Sequence, residues 1–573
     1  MCLNGGAEPV DGQNMAVSMA GSGIMAALLG GCCVHLLLCP VHLATVPERG
    51  CAKYRNILRQ ISSELNKEKE KDPQFWHDAA SDFLSRRQAQ TQSRTTAKNI
   101  ILFIGDGMGL STVTASRILR GQLAGGLGEE YSLNMDNFPY SGLVKTYCTD
   151  AQVPDSACTA TAFLCGVKTN KFLAGLSAQA VHDQCNTTKG NEVTSILRWA
   201  KDAGKSVGLV TTTRVQHATP AVSYGHVVTR WWYADSSMSA EARQQGCTDL
   251  AYQLVHNIPD IEVIMGGGRM YMTPEGTPDP QYPNTTQYSG KRLDGLNLID
   301  KWRELKKDKN ATYVCNVTDL RLVDPRNTDY LLGLFAPKDM SFDVLRDPDV
   351  EPSLPDMVET AVKILKKNPE GFFLLVEAGR IDQGHHKSQA KLALHDTISL
   401  DEALGRTARL TNEAETLTVL TADHGHTLSL GGYTDRGADI FGFAPVVSDT
   451  DQLPYTSLLY GNGPGFSIHN SSRTNPKAHN TSATGYVQQS AVPLSSETHT
   501  GEDVAVYARG PWAHLLTGTN DNTYIAHVMA HAACLGPRAA RCDSPGNAAP
   551  ACPAVTLSFP LTTLLSLLMR LSV

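Results

Sequence analysis

Asp382 and His386 stand four residues apart, Asp423 and His424 adjoin, and Asp106, Glu377 and His499 lie far from both pairs in the chain. Carboxylate oxygens and imidazole nitrogens are the donors that hold hard-to-borderline divalent cations. A spacing of four puts Asp382 and His386 on one side of a helical turn, whereas Asp423 and His424 suit a tight turn. Ser156, within Val153-Pro-Asp-Ser-Ala157, falls where a helix begins. Serine there is ordinary N-cap punctuation. A helix N-terminus also draws anions, and a serine beside metal ions becomes a nucleophile toward a phosphoryl group. These residue types together predict a metalloenzyme.

Positioning them requires a sheet. Four apolar runs each lead into one part of the set: 99–104 into Asp106, 372–376 into Glu377, 417–421 into Asp423, and 206–210 into the segment carrying His217 and Thr219. Doubly wound sheets place their ligand site beyond the carboxyl ends of the strands. Helical patterns at about 191–203, 240–256, 356–367 and 387–410 alternate with the strand-like runs. The expected fold is therefore α/β, doubly wound, with a mainly parallel central sheet and helices on both faces. It forms one catalytic domain over residues 98–542, because the candidate ligands span Asp106 to His499. Residues 270–350 read as a loop-rich insertion and about 438–497 as a small cap. Residues 47–97 read as an N-terminal arm with a helix from about 72 to 88, suited to exposure or to a dimer contact.

The chain has 573 residues and a formal net charge of −7. That balance disfavours nucleic acid as a partner, because phosphate neutralisation needs a basic face. The apolar stretch 24–43 resembles a secretory signal, so residues 1–46 are expected to be removed. Sequons at Asn186, Asn284, Asn310, Asn316, Asn470 and Asn480 agree with secretion. At the other end, small residues, a spacer and the apolar segment 557–573 form the pattern of a glycosylphosphatidylinositol signal over 543–573, with Asn547 as the attachment residue. The expected location is the outer face of the cell membrane. Of 14 cysteines, five lie in segments expected to be removed, and the remaining 14 − 5 = 9 leave at least one thiol free. Cys185 with Cys247, and Cys534 with Cys542, are the expected bridges. Cys51, Cys148, Cys158, Cys165 and Cys315 are left unassigned.

Taken in order, seven segments resemble one family: Asp106-Gly-Met-Gly, Val-Pro-Asp-Ser156-Ala, Thr-Thr-Arg-Val-Gln-His217-Ala-Thr219-Pro, Val-Glu377-Ala-Gly-Arg-Ile-Asp382, Gly-His-His386, Thr-Ala-Asp423-His424-Gly-His426 and Glu-Thr-His499-Thr-Gly-Glu-Asp. They are similar to the alkaline phosphatases, in particular the animal tissue-nonspecific type, from about Glu68 to Cys542. The resemblance implies two zinc ions and one magnesium ion per subunit. Asp382, His386 and His499 would hold the first zinc. Asp106, Ser156, Asp423 and His424 would surround the second, with Asp106 shared toward magnesium. Thr219 and Glu377 would complete the magnesium site, with His217 and His426 close by. Arg230 would clamp the phosphate with its planar fork. The implied reaction is hydrolysis of small phosphomonoesters at alkaline pH through a phosphoserine on Ser156, by a homodimer.

Two departures stand out. The family's calcium site has a Glu, a Phe-Glu pair and an Asp where this chain has Gln281, Phe335-Ala336 and Glu351, so calcium binding is expected to be weak or absent. Cys158 replaces a glycine of the nucleophile helix, which would place a thiol two residues from Ser156. Two other functions compete: a phosphodiesterase of the same superfamily, which usually carries Thr for Ser and lacks the Arg230 equivalent, and a catalytically silent surface binding protein.

Overall fold

A computed structural model of the chain describes residues 68–469 and 472–539. The signal region, Cys51, Asn470, Cys542, Asn547 and the whole 543–573 segment lie outside the described residues. The chain falls into two units, Met1–Phe75 and Trp76–Val573. Of the first, residues 68–75 are described.

Ten strands form the central sheet: β1 (Asn99–Gly105), β2 (Tyr140–Lys145), β3 (Ser206–Arg214), β4 (Val263–Gly267), β5 (Ala311–Val314), β6 (Tyr330–Leu334), β7 (Phe372–Ala378), β8 (Thr416–Ala422), β16 (Val504–Arg509) and β17 (Gly518–Asp521), in the order β17-β2-β16-β8-β1-β7-β3-β4-β6-β5. Every neighbouring pair is parallel except those of β16, which runs antiparallel to β8 and β2. β1, β3, β7 and β8 are buried almost end to end, because a parallel sheet covered on both faces selects continuous apolar strands.

Thirteen helices occur among the described residues: α1 (Pro73–Gln88), α2 (Leu110–Leu123), α3 (Ser156–Cys165), α4 (Ile196–Asp202), α5 (Ala218–Val222), α6 (Ala240–Gln244), α7 (Leu250–His256), α8 (Leu298–Leu305), α9 (Val317–Leu322), α10 (Leu354–Leu365), α11 (Arg380–His386), α12 (Ala390–Leu410) and α13 (Thr523–Ala533). They pack in two groups. α10, α12 and α2 join one another over β3, β7 and β1, while α3, α4, α5 and α13 join over the same strands. This is the doubly wound α/β arrangement.

Several boundaries differ from the sequence reading for local reasons. The helix expected over 191–203 starts only at Ile196, where the Ser195 side chain caps Arg198 N–H. The one expected over 240–256 breaks into α6 and α7, because Gly246 takes a φ of +85° and Asp249 caps the second piece. Segment 270–350 is more than loop: β5 and β6 extend the sheet to its edge, and α8 and α9 accompany them.

The cap segment pairs β11 (Leu458–Gly463) and β14 (Ser490–Pro493) with β10 (Leu428–Leu430), which lies before it in the chain, in a small sheet. β12 (Ile468–His469) and β13 (Ser472–Arg473) pair antiparallel in the same segment. A two-stranded ladder of β9 (Gly425–His426) and β15 (His499–Thr500) sets His426 directly opposite His499.

Candidate active site and metal centre

The four strands that carry the candidate ligands are neighbours, β8-β1-β7-β3, at the middle of the sheet. Register brings their ends level. Gly105 pairs with Ala422, so Asp106 and Asp423 leave the sheet at one height, while Ile104 and Thr211 both pair with Glu377. After Asp106 the chain must turn at once. Gly107 does so at φ +76°, where a Cβ would lie 2.6 Å from the His426 ring.

Ser156 is the first residue of α3, not its cap. Asp155 is the N-cap and accepts from Ala157 N–H and Cys158 N–H, which leaves the serine hydroxyl free to face the site. Ser156 Oγ lies 3.4 Å from Asp106 Oδ1 and 3.3 Å from His424 Nε2. His424 Nε2 is also 3.1 Å from Asp423 Oδ2. The other Asp423 oxygen accepts from Gly107 N–H and His424 N–H, both at 2.9 Å, which fixes its direction.

A second group gathers around Asp382, at the start of α11. Its Oδ1 lies 3.2 Å from His386 Nε2, 3.2 Å from His499 Nε2 and 2.9 Å from His426 Nε2. The far ring nitrogens are held in turn: His499 Nδ1 by the Pro154 carbonyl at 2.8 Å, His386 Nδ1 by the Glu497 carbonyl at 2.5 Å, and His426 Nδ1 by Glu497 Oε2 at 2.5 Å. Such outer partners set tautomer and ring orientation in metal centres.

A third group has a harder donor set. Glu377 Oε2 is held by the hydroxyls of Thr211 and Thr213. His217 Nδ1 lies 3.9 Å from Asp106 Oδ2 and 4.0 Å from Glu377 Oε1. Thr219 is fully buried in α5.

Whether these groups fit metal ions can be judged from what they leave unpaired. Asp106 Oδ2, Asp423 Oδ2, Glu377 Oε1, Thr219 Oγ1 and His217 Nδ1 are all buried without a hydrogen-bond partner. Five orphaned polar atoms at one end of a sheet would cost several kcal/mol unless cations met them. Burial, then the carboxylates of Asp423, Asp382 and Glu377, pushes Asp106 well above its ordinary range. Donor atoms of Asp382, His424, His426 and His499, of Asp106, Asp423 and His424, and of Asp106, His217 and Glu377 each lie within 4.8 Å of one another. The site fits divalent metals.

Arg230 and its partner complete the rim. Arg230 Nη1 donates to Asp155 Oδ2 at 2.7 Å, and Nη2 lies 3.3 Å from His217 Nε2. Burial raises the Asp155 pKa, but the guanidinium together with the N–H groups of Phe172 and Ala157 holds the carboxyl below its usual range. Asp155, Glu497 and Pro154 were not singled out from sequence. Each sits beside a candidate residue in the chain, and that proximity was the only signal available.

A profile of the alkaline phosphatase family matches residues 97–535. The chain belongs to the alkaline phosphatase family. It is 54% identical over 490 residues to the tissue-nonspecific alkaline phosphatase of Homo sapiens, covering 85% of this chain and 94% of that protein. It is 56% identical over 470 residues to an alkaline phosphatase of Gadus morhua, covering 82% and 98%. The solved structure of the Thermus thermophilus alkaline phosphatase superposes with a TM-score of 0.54 at 22% identity, over 78% of this chain and 93% of that one, which shows a shared fold. As an alkaline phosphatase the chain is a phosphomonoester hydrolase, and metal ions belong to its family's chemistry.

One feature separates this member of the family from the sequence expectation. Cys158 carries no free thiol: it is bridged to Cys148, ten residues away, and ties α3 to the loop before it. Cys185 is bridged to Cys247. Cys165 and Cys315 are the free cysteines among the described residues, and Cys534 is disulfide-bonded, the expected partner Cys542 lying outside them.

The residues at the calcium position do not fit that ion. Gln281 Oε1 accepts from Arg269 Nη2 at 2.6 Å, and Gln281 Nε2 donates to the Cys315 carbonyl at 2.9 Å. The Ala336 carbonyl is occupied by the N–H groups of Gly268 and Arg269. Glu351, the one carboxylate left, accepts from Ser341 N–H and Oγ. The Arg269 guanidinium thus already occupies the Gln281 carbonyl oxygen. Calorimetric titration of the demetallated protein with calcium should show no saturable micromolar step. A tight step at this place would overturn the reading.

Proposed function

We propose that this hydrolase cleaves phosphomonoesters by in-line attack of Ser156, with two zinc ions and one magnesium ion held as the donor sets suggest. Asp382, His386 and His499 would hold the first zinc, and Asp106, Ser156, Asp423 and His424 the second. The oxygen-rich set of Asp106, Thr219 and Glu377 suits magnesium, a hard ion that prefers carboxylate and hydroxyl ligands. When bound, such a metal pair stabilises the attacking and leaving oxygens and lowers the pKa of a nearby hydroxyl. His217 and His426 then act around the ligands rather than as ligands. His426 sits between Asp382 and Glu497, whose hydrogen bonds raise its pKa to about 10 against the effect of burial.

Each side chain then has a task. Ser156 Oγ gives up its proton and forms the bond to phosphorus as the P–O bond to the substrate alcohol breaks and the alcohol departs; water then cleaves the phosphoserine, releasing inorganic phosphate and restoring the hydroxyl. The positive end of the α3 dipole lies beside Ser156 and favours an anion there. Arg230, steered by Asp155, offers two parallel donors to two phosphate oxygens. The Ser156 environment carries the proposal: a buried hydroxyl between Asp106 and His424 at a helix start, with Arg230 paired to the neighbouring Asp155.

The clamp also favours monoesters over diesters, because a dianionic phosphoryl group leaves two free oxygens to grip. Arg230→Lys should lower kcat/KM for a phosphomonoester about 100-fold, the scale of losing one preorganised donor. For a diester the loss should be several times smaller. Equal losses on both ester types would favour the phosphodiesterase reading.

Location and assembly follow from the ends of the chain. We infer an enzyme exported by the 1–46 signal, anchored through Asn547 by a lipid after removal of the C-terminal tail, and glycosylated. Asn186, Asn284, Asn310 and Asn480 are exposed, whereas Asn316 is half-buried as the cap of α9. No described helix is long and apolar enough to cross a membrane. A homodimer suits α1, which buries none of its residues while exposing Trp76, Phe83 and Leu84.

A further inference from the structure

The residue after Arg230 is Trp231, whose side chain stays 43% exposed although two other rings flank it. Phe172 lies 5.0 Å from it and His182 6.0 Å, with Phe172 and His182 5.2 Å apart, all centroid to centroid. Three aromatic rings thus form one cluster on two loops.

The cluster is wired into the phosphate end of the site. Phe172 N–H donates to Asp155 Oδ1 at 3.0 Å, and the Phe172 carbonyl accepts from Arg230 N–H at 2.9 Å. Phe172 therefore bridges the two members of the ion pair that aims the guanidinium. It does so at φ +70°, a left-handed conformation that a bulky residue adopts at a cost. Such strain persists where the surroundings over-determine it, and it gathers at ligand sites. The second loop is tied down by Thr229 Oγ1 donating to Asp183 and by Asp183 N–H donating to the Val228 carbonyl. Lys171 Nζ, 5.6 Å from the Phe172 ring, adds a cation at the edge. A buried trio would be packing; a half-open indole fixed one residue from a phosphate clamp is a surface for a ligand.

We propose that Trp231, Phe172 and His182 form a leaving-group subsite that selects phosphomonoesters of aromatic or heteroaromatic alcohols by stacking. The assignment rests on Arg230 gripping the phosphoryl group, because Phe172 hydrogen-bonds both Arg230 N–H and Asp155 and Trp231 follows Arg230 in the chain. Ring-on-ring contact of this kind supplies a modest, geometry-dependent preference, with no demand on particular hydrogen-bonding atoms.

The test compares kcat/KM for 1-naphthyl phosphate and for glycerol 2-phosphate, each variant referred to the parent protein so that intrinsic ester reactivity cancels. Trp231→Ala should lower the naphthyl-to-glycerol ratio about 5- to 10-fold, chiefly through a higher KM for the aryl ester. Trp231→Phe should keep the ratio within about 3-fold, since a ring remains. Phe172→Gly removes a ring and relieves the left-handed backbone, so it should fold and shift the ratio in the same direction. A ratio unchanged in both Trp231→Ala and Phe172→Gly, or equal loss on both esters, overturns the subsite. Failure of the clamp itself would appear separately, as Arg230→Lys leaving both esters unaffected.

Discussion

Ser156→Ala is expected to lower kcat/KM for a phosphomonoester about 1,000-fold or more, on the order of 4 kcal/mol of transition-state stabilisation, while leaving the fold intact. The contrast between large kinetic and small structural effects follows from the geometry. Because Asp155 caps α3, deleting the hydroxyl removes no cap, and the helix keeps its two side-chain-to-backbone bonds. The hydroxyl's neighbours, Asp106 Oδ1 and His424 Nε2, sit at the long end of hydrogen-bond range, 3.4 and 3.3 Å. Its role is thus to react, not to hold. Thermal unfolding should shift by no more than about 2 °C, because no cap and no short hydrogen bond is lost. Phosphomonoester turnover surviving within tenfold in Ser156→Ala would sink the nucleophile assignment. A large loss of stability would instead mean that the hydroxyl is structural.

Much of this site was legible because a doubly wound sheet converts linear order into position. Once runs such as 99–104 and 417–421 are read as parallel strands, the residues after them must emerge at one edge, and Asp106 and Asp423 do. The four-residue spacing of Asp382 and His386 likewise fixed their shared face on α11. What could not be read were contacts made by backbone or across distant loops. The Pro154 carbonyl that orients His499 has no side-chain signature, and Glu497 reaches His426 only because β9 and β15 pair. The Cys148–Cys158 bridge was hidden for a similar reason: parity of the cysteine count says nothing about which loop folds back onto α3. Ser156 was read as a cap because the sequence offers Asp155 and Ser156 side by side, and both residue types cap helices. Strands β5 and β6 were missed because they are short and lie between Pro- and Asn-rich turns, where alternation has little length in which to show.

Removal of the metals should cost both activity and stability, and the second loss is the sharper test of the site. Four carboxylates, those of Asp106, Glu377, Asp382 and Asp423, are buried at the ends of β1, β7 and β8 and the start of α11. Some of their charge is met within the protein: His386 and His426 hold Asp382 well below its ordinary range despite burial. Asp106 has no such cation, and its orphaned Oδ2 faces the equally orphaned Oε1 of Glu377 across His217. Burial lowers the pKa of His217, and Arg214 and Arg230 add to that, so the imidazole is a poor source of compensating charge. Excess chelator should therefore reduce turnover below about 1% of its starting rate, as for loss of a group that the transition state depends on. It should also lower the melting temperature by roughly 5–10 °C, since uncompensated buried charge costs several kcal/mol and each kcal/mol moves a large domain by a few degrees. Zinc with magnesium should restore both quantities, by the mass-action stabilisation of any ligand that binds only the folded chain. Glu377→Gln should shrink the magnesium-dependent part of that recovery, because a neutral amide in place of Oε1 relieves the repulsion but weakens the hard-ion site. If chelation leaves the melting temperature where it was, the buried acids are satisfied by protons, and the metal centre assigned to them is wrong.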